Sequence, residues 1–99
     1  MRPGKLAFLG LDFFYRIKLF FKIYKISSSG TQTEFKAGLN GPWGIDVDSL
    51  TGDVYVAEVN GGIVTKVSSS GHSVIHASGI ANVAGLTRDV STGDIFVTT

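Results

Sequence analysis

The chain has 99 residues, the size of one small domain, and 43% of them are apolar, which is enough for a core. Its 13 glycines and its short runs of Thr, Ser, Val and Ile favour an all-β chain with many turns. The absence of cysteine excludes disulfides, thiolate chemistry and cysteine-based zinc sites, and the sequence gives no indication of a cellular compartment.

Charge is unevenly distributed, although the net charge is only +1. Residues 1–36 carry seven basic and two acidic side chains, a balance of +5, whereas residues 37–99 carry two basic and six acidic side chains, a balance of −4. A basic start on an acidic body could contact nucleic acid or a membrane surface. The basic side chains lie on predicted strands rather than on a ligand face, so solvated strand faces are favoured over nucleic-acid binding.

Residues 1–11 show no periodicity and are predicted to be an N-terminal tail. Their basic start and the apolar run Leu6–Leu11 are like the start of a secretory signal, but Asp12 interrupts the run and no small-residue cleavage site follows. Five charged residues lie between Leu6 and Ile26. No membrane-spanning helix is therefore predicted, because such a helix needs about 20 mostly apolar residues.

Residues 12–24 allow two interpretations. Apolar Ile17, Leu19, Phe21 and Ile23 alternate with largely charged neighbours, which is typical of a half-buried strand. Other apolar residues in 6–24 recur at helical spacing, but aromatic and β-branched residues are poor helix formers. A strand is favoured, and a helix stays open because this stretch lacks the glycine-containing turn found later in the chain.

From residue 25 onward, short apolar runs alternate with turns rich in Gly, Ser, Asn and Asp. Asp48 and Gly52 are expected to shape one turn, and Asn60-Gly61 predicts a two-residue hairpin turn of type I′. The predicted strands are Thr31–Lys36, Ile45–Val47, Val54–Glu58, Ile63–Val67, His72–Ala77, a strand that begins at Leu86, and a strand that includes Ile95–Val97.

The pattern repeats after 41 residues. Residues 25–58 align with residues 66–99 without a gap, and 12 of the 34 pairs are identical. A period near 40 with four strands per unit is typical of a β-propeller blade. The predicted fold is therefore all-β, a partial propeller of four-stranded antiparallel blades. Its parts are the tail 1–11, a partial blade 12–36 of three strands (or a helix plus strands), a complete blade 37–77 and a two-stranded partial blade 78–99.

The segment Gly38-Leu-Asn-Gly-Pro-Trp-Gly-Ile-Asp-Val-Asp48, followed by Gly52-Asp-Val-Tyr-Val-Ala-Glu58, resembles the NHL repeat family. It also resembles the related six-bladed propellers of the gluconolactonase and strictosidine-synthase type. The resemblance covers residues 12–99 and implies an architecture more than a function, because such propellers host lactonases, lyases and binding modules alike.

About 2.4 repeats are present, whereas a closed propeller needs roughly four to eight blades. We therefore expect one of three situations: a fragment of a longer reading frame, which is favoured, self-association through uncovered blade faces, or an open stack with exposed edges.

The resemblance implies a ligand face formed by the loop that enters each blade and by the hairpin loop between its second and third strands. Residues on this face are Leu39, Asn40, Pro42, Trp43, Glu58, Asn60, Ala81, Asn82 and Val83. Four positions at which the complete blade differs from a neighbouring repeat are the candidate ligand-binding residues, namely Trp43, Asp46, Glu58 and Asn60. Trp43 could stack on a sugar or base, or pack against an adjacent blade.

Catalytic, cofactor and metal sites are not predicted. Gluconolactonase-type enzymes commonly place a metal-binding Asn between Pro and Gly, where this chain has Trp43, and an indole cannot ligate metal. Lyases of the streptogramin-cleaving type use a histidine near the central channel, but His72 and His76 fall on a predicted outermost strand, as a surface pair without a third ligand. Asp48 recurs as Asp89, which indicates a turn role.

The sequence thus favours a non-catalytic scaffold or binding module that recognises a protein or a carbohydrate. The alternative is a fragment of a propeller enzyme, either gluconolactonase-like or streptogramin-lyase-like, whose catalytic residues lie in other blades.

Overall fold

The structure is a computed structural model that describes residues 21–99. The predicted tail 1–11 and the greater part of the strand or helix predicted for residues 12–24 lie outside the described residues. The chain divides into two compact units, Met1–Leu39 and Asn40–Thr99.

The described part of the chain is built of strands and turns, without a helix. The eight strands are β1 (Ile23–Ile26), β2 (Gln32–Lys36), β3 (Pro42–Val47), β4 (Val54–Glu58), β5 (Ile63–Val67), β6 (Ser73–Ala77), β7 (Leu86–Arg88) and β8 (Ile95–Val97). They form three antiparallel sheets, β1–β2, β3–β4–β5–β6 and β7–β8. The predicted all-β class with antiparallel sheets is confirmed.

The Met1–Leu39 unit contains the β1–β2 hairpin, whose turn is closed by serine and glycine. The Ser27 hydroxyl accepts a hydrogen bond from the Thr31 N–H at 3.0 Å, and the Gly30 N–H donates to the Ser27 carbonyl at 2.9 Å. Gly30 has a φ of 91°, which glycine adopts without a steric penalty. The β5–β6 turn repeats these bonds through Ser68 and Gly71, so the repeated letters produce repeated geometry.

The Asn40–Thr99 unit contains the other two sheets, with a core between them. Tyr55 and Ala57 of β4, Val64 of β5 and Val83 of the β6–β7 loop are buried together. Side chains of β6, β7, β8 and the β6–β7 loop pack around this cluster, namely Ala77, Ile80, Leu86, Ile95 and Val97. Alternation along β4 and β5 directs one set of side chains to this interface, because neighbouring residues of a strand point to opposite faces.

The four-stranded sheet is continuous in register across β4 and β5, where Val54 pairs with Val67 and Glu58 with Ile63. Four residues, 59–62, therefore connect the two strands. The predicted two-residue type I′ turn at Asn60-Gly61 is wrong. Gly62 alone in this loop has positive φ, at 62°, and its N–H donates to the Glu58 carbonyl at 2.9 Å. A four-residue hairpin loop is most often built around a type I turn, which does not need the two positive φ values of a type I′ turn. Here only the last loop residue, Gly62, has positive φ.

Candidate functional site

The loops at one end of the Asn40–Thr99 unit are joined by backbone hydrogen bonds. The Val59 N–H donates to the Gly41 carbonyl at 2.8 Å, and the Ile80 N–H donates to the Gly62 carbonyl at 2.9 Å. The segment before β3 (residues 40–41, the entry segment), the β4–β5 loop and the β6–β7 loop are thus linked in a row. We call residues 40–43, 58–62 and 80–83 the loop face. Its backbone is held by its own hydrogen bonds, so its exposed side chains project from a firm base.

Trp43, one of the four candidate residues, has 73% of its surface exposed. It lies in a β-bulge, because Pro42 pairs with Glu58 and Gly44 pairs with Ala57, which leaves Trp43 as the extra residue of β3. A bulge bends its strand and redirects the side chain of the extra residue. The indole is therefore presented to solvent on the loop face.

Asn60 is also exposed and lies at the tip of the β4–β5 loop. Its backbone N–H donates to the Asn40 carbonyl at 3.3 Å, and this bond ties the loop tip to the segment before β3. Asn60 fits closely against Gly41: a β-carbon at that glycine would come within 2.7 Å of the Asn60 amide nitrogen. Glycine at position 41, with its φ of 74°, permits this close approach.

Glu58 is buried, with 4% of its surface exposed, and both of its carboxylate oxygens are engaged. Oε1 accepts a hydrogen bond from the Asn40 backbone N–H at 2.6 Å, and Oε2 accepts one from the Thr65 hydroxyl of β5. A buried carboxylate is tolerated when such donors satisfy it. Glu58 thus joins the entry segment to two strands of the sheet, and little of it is available to a ligand.

Asp46 joins the two sheets of the unit. Its Oδ2 accepts a hydrogen bond from the Arg88 backbone N–H of β7 at 2.8 Å, and its Oδ1 accepts one from the Val47 N–H at 2.8 Å. β3 and β7 approach closely here, because a β-carbon at Gly44 would meet the Ala84 carbonyl oxygen well inside van der Waals contact. Oδ2 of Asp46 therefore holds β7 on β3, and Oδ1 is occupied within β3 itself.

Arg88 occupies the same interface with its side chain, which is only 9% exposed. Its Nη2 lies 3.7 Å from Asp48 Oδ2, and its guanidinium carbon lies 5.2 Å from the centre of the Tyr55 ring. The other neighbour of that ring is His76, at 5.3 Å in an edge-on arrangement. Tyr55 is thus flanked by a cation and an imidazole, a stable arrangement for an aromatic ring in a packed interface.

Asp48 and Asp89 have the turn role that the repeat predicts. Each accepts a hydrogen bond at 3.0 Å from the backbone N–H two residues on, at Leu50 and Ser91 respectively. The Leu50 N–H holds the pKa of Asp48 below its ordinary value, with help from Thr51 and Arg88. The hydroxyl and N–H of Ser91 do the same for the pKa of Asp89, because hydrogen bonds to the ionised form favour it.

The structure separates most of the residues predicted on the ligand face into an exposed and a buried group. Trp43 and Asn60 are exposed together with Asn40, Ala81 and Asn82. Leu39 and Val83 are buried, at 4% and 0% exposure, and so are core residues rather than ligand contacts. Loop position alone predicts these two side chains on the ligand face, but burial of their apolar surface overrides that position.

Sequence reasoning missed Thr65, Tyr55 and Arg88 as parts of these contacts. Arg88 carried a usable signal, since it stands where the preceding repeat has the apolar Val47. A cation that replaces an apolar repeat position indicates a local partner, which here is Asp48. Thr65 and Tyr55 gave no such signal, because Thr and Tyr are common in strands.

Within residues 21–99, no three His, Asp or Glu side chains are grouped so that they could hold a metal ion. Nor does that range hold a helix of the length and apolar character required to cross a membrane. His76, on the edge strand β6, contacts Tyr55.

Comparisons of the chain with protein-family models, with curated proteins and with solved structures found no match. Among the described residues, the feature that bears most directly on function is the exposed bulge residue Trp43 on the loop face.

Proposed function

We propose that the chain is an NHL-like β-propeller repeat segment that acts as a non-catalytic binding module, with Trp43 and Asn60 of the loop face as its ligand contacts. The exposed indole of Trp43 on a β-bulge carries the proposal. Bulges are common beside binding sites because they redirect one side chain without disturbing the rest of the sheet. An exposed indole offers a flat apolar face with one N–H donor, which suits a sugar ring or an apolar side chain of a protein.

The arrangement of the sheets supports a propeller-type architecture. One repeat forms the four-stranded sheet β3–β6, and the next repeat begins a second sheet at β7. The first strands of the two sheets lie side by side, joined by the bond from the Arg88 N–H to Asp46. Propeller blades are likewise four-stranded sheets that recur at a fixed interval in the sequence and pack against their neighbours.

The roles of the acidic side chains support a binding module over an enzyme. The carboxylates of Glu58 and Asp46 hold backbone and hydroxyl donors in the fold, and those of Asp48 and Asp89 hold turns. A general acid, a general base or a metal ligand has to be free to reach a substrate. The exposed groups of the loop face are an indole and amides, which bind by stacking and hydrogen bonding.

The test is to probe a glycan array and a peptide array with the labelled chain and two variants. W43A removes the indole from the loop face. L50A is the matched control, because Leu50 is 94% exposed but lies in the β3–β4 turn at the other end of β3. We expect W43A to lose the array signal by about ten-fold or more and L50A to keep it. Equal signals for both variants, or no array signal at all, would overturn the proposal.

A further inference from the structure

The repeat divides the described strands into one complete set and two complementary halves. β5 and β6 follow β1 and β2 by 41 residues, and β7 and β8 follow β3 and β4 by the same number. The hairpin β1–β2 therefore corresponds to the third and fourth strands of a sheet. The hairpin β7–β8 corresponds to the first and second strands. Placed side by side, the two hairpins have the strand content of one complete sheet.

The edge of β8 is where a third strand would be added. Among residues 21–99, β8 pairs with β7 alone, through Leu86–Val97 and Arg88–Ile95. A largely apolar cavity of about 260 Å³ lies beside β8. Its lining includes Val64, Ala77 and Ile80 on one side, Ile95 and Val97 on the other, and His76 and Asp94 at polar positions. An apolar surface beside an open strand edge favours the addition of a strand.

The strand with the matching sequence is β1. Ile23-Tyr-Lys-Ile26 corresponds in the repeat to Val64-Thr-Lys-Val67 of β5, which pairs with β4. Val67 is fully buried in that position, whereas Ile26 of β1 is 64% exposed and Tyr24 is 53% exposed. β1 thus has the apolar residues of a sheet-interior strand and leaves two of them uncovered.

Charge favours the same pairing. In the complete sheet, Lys66 Nζ lies 3.4 Å from Asp53 Oδ2. The corresponding residues are Lys25 on β1 and Asp94 just before β8, and both are exposed. The basic balance of residues 1–36 and the acidic balance of residues 37–99 add a general attraction between the two hairpins of different copies.

We propose that β8 of one copy of this chain pairs with β1 of a second copy, and that the two hairpins form a four-stranded antiparallel sheet in the order β7–β8–β1–β2. The register of β4 on β5 places Ile95 opposite Ile26 and Phe96 opposite Lys25. The pairing rests on the blade-like repeat that also underlies the proposed function. A second copy is the favoured partner, because the eight described strands amount to two four-stranded sheets, whereas a closed ring of sheets needs roughly four or more.

The contact joins unlike surfaces, so it produces rings if the rotation closes and filaments if it does not. The described strands of each copy form one complete sheet and two halves, which amounts to two sheets per copy. Closed rings of two, three or four copies would then hold four, six or eight sheets, and propellers have roughly four to eight blades.

Cysteine trapping in the otherwise cysteine-free chain tests the pairing. Copies of I26C and of I95C are mixed and oxidised, since directly opposed strand residues have the Cα separation of about 4.4–6.8 Å that a disulfide requires. The matched control mixes T33C with I95C, because Thr33 lies on β2, one strand further from β8 and about 10 Å away. We expect a mixed disulfide dimer from the first pair and at least about five-fold less from the control.

A charge swap tests the same contact without a disulfide. K25E and D94K should each weaken the association of the full chain by about five-fold, as measured by light scattering over a dilution series, and the double variant K25E/D94K should restore it. Circular dichroism of each variant shows whether its strands remain folded.

Three results would overturn the pairing. They are a monomer at every concentration, equal trapping of the control pair, and, in a double variant that carries both I26C and I95C, a disulfide that forms within one chain. Failure of the proposed binding function is a separate result, because W43A alters the array signal and leaves the β8 edge intact.

Discussion

The buried carboxylate of Glu58 gives the sharpest prediction about what holds the four-stranded sheet together. E58A removes the acceptor for the Asn40 N–H, bonded at 2.6 Å, and the acceptor for the Thr65 hydroxyl. A buried donor left without an acceptor costs about 1–3 kcal/mol. The Thr65 hydroxyl is buried and the Asn40 N–H is partly exposed, so we expect E58A to lower the free energy of unfolding by about 3 kcal/mol. A small domain has about 5–15 kcal/mol in total.

The assay is urea denaturation followed by circular dichroism, at one low protein concentration so that self-association does not add to the apparent stability. E34A is the matched control, because Glu34 is 49% exposed in its ion pair with Lys22. Surface pairs of this kind contribute about 0–1 kcal/mol. T65V and the double variant E58A/T65V complete a cycle, in which we expect a coupling energy of about 1.5 kcal/mol between Glu58 and Thr65. A change of under about 0.5 kcal/mol for E58A would refute the structural role of Glu58.

Two further predictions concern the sheet interface and the repeated turns. G44A should lower the free energy of unfolding by about 2 kcal/mol or more, because the new β-carbon would enter the space of the Ala84 carbonyl. G61A is the control: a β-carbon there would have no atom nearer than 3.4 Å, so it should change the free energy of unfolding by under about 0.5 kcal/mol. Urea denaturation measures both, and equal effects would contradict the close approach of β3 and β7. The lowered pKa values of Asp48 and Asp89 favour their ionised forms in the folded chain, so this stability is present above the ordinary aspartate value of about 3.9 and is lost as the pH falls through the lower folded values. D48N/D89N should therefore flatten the acid limb of a plot of stability against pH, and an unchanged acid limb would contradict this origin.

The strands could be predicted from the sequence because the turn residues next to them in the chain set their boundaries. Asp48, Gly52 and the serine-glycine turns recur at a fixed spacing, and each recurrence closes the same hydrogen bonds. The predicted ranges Val54–Glu58 and Ile63–Val67 are those of β4 and β5. The Asn60-Gly61 pair was not enough to predict the length and turn type of the loop between these two strands. The register of Glu58 on Ile63 fixes a four-residue loop.

The candidate site was harder to predict, because its residues are defined by distant partners. Asp46 accepts a bond from Arg88, which is 42 positions away in the sequence. Glu58 accepts bonds from Asn40 and Thr65. Departure from the repeat identified Asp46 and Glu58 as special, but a departure can serve packing as well as binding. Burial separates these two uses, and burial depends on the folded sheets.

The central structural claim is that β7 of one repeat packs on β3 of the preceding repeat. Hydrogen exchange of the Arg88 backbone amide tests this claim most directly. Its N–H donates to Asp46 across the two sheets at 2.8 Å. We predict that this amide is protected in the wild-type chain. In D46A its protection should fall by about ten-fold or more, while amides of β4 stay protected, because a hydrogen bond to a charged group contributes about 1.5–3 kcal/mol. An Arg88 amide that exchanges at the rate of an unfolded peptide while β4 remains protected would contradict the stacked arrangement.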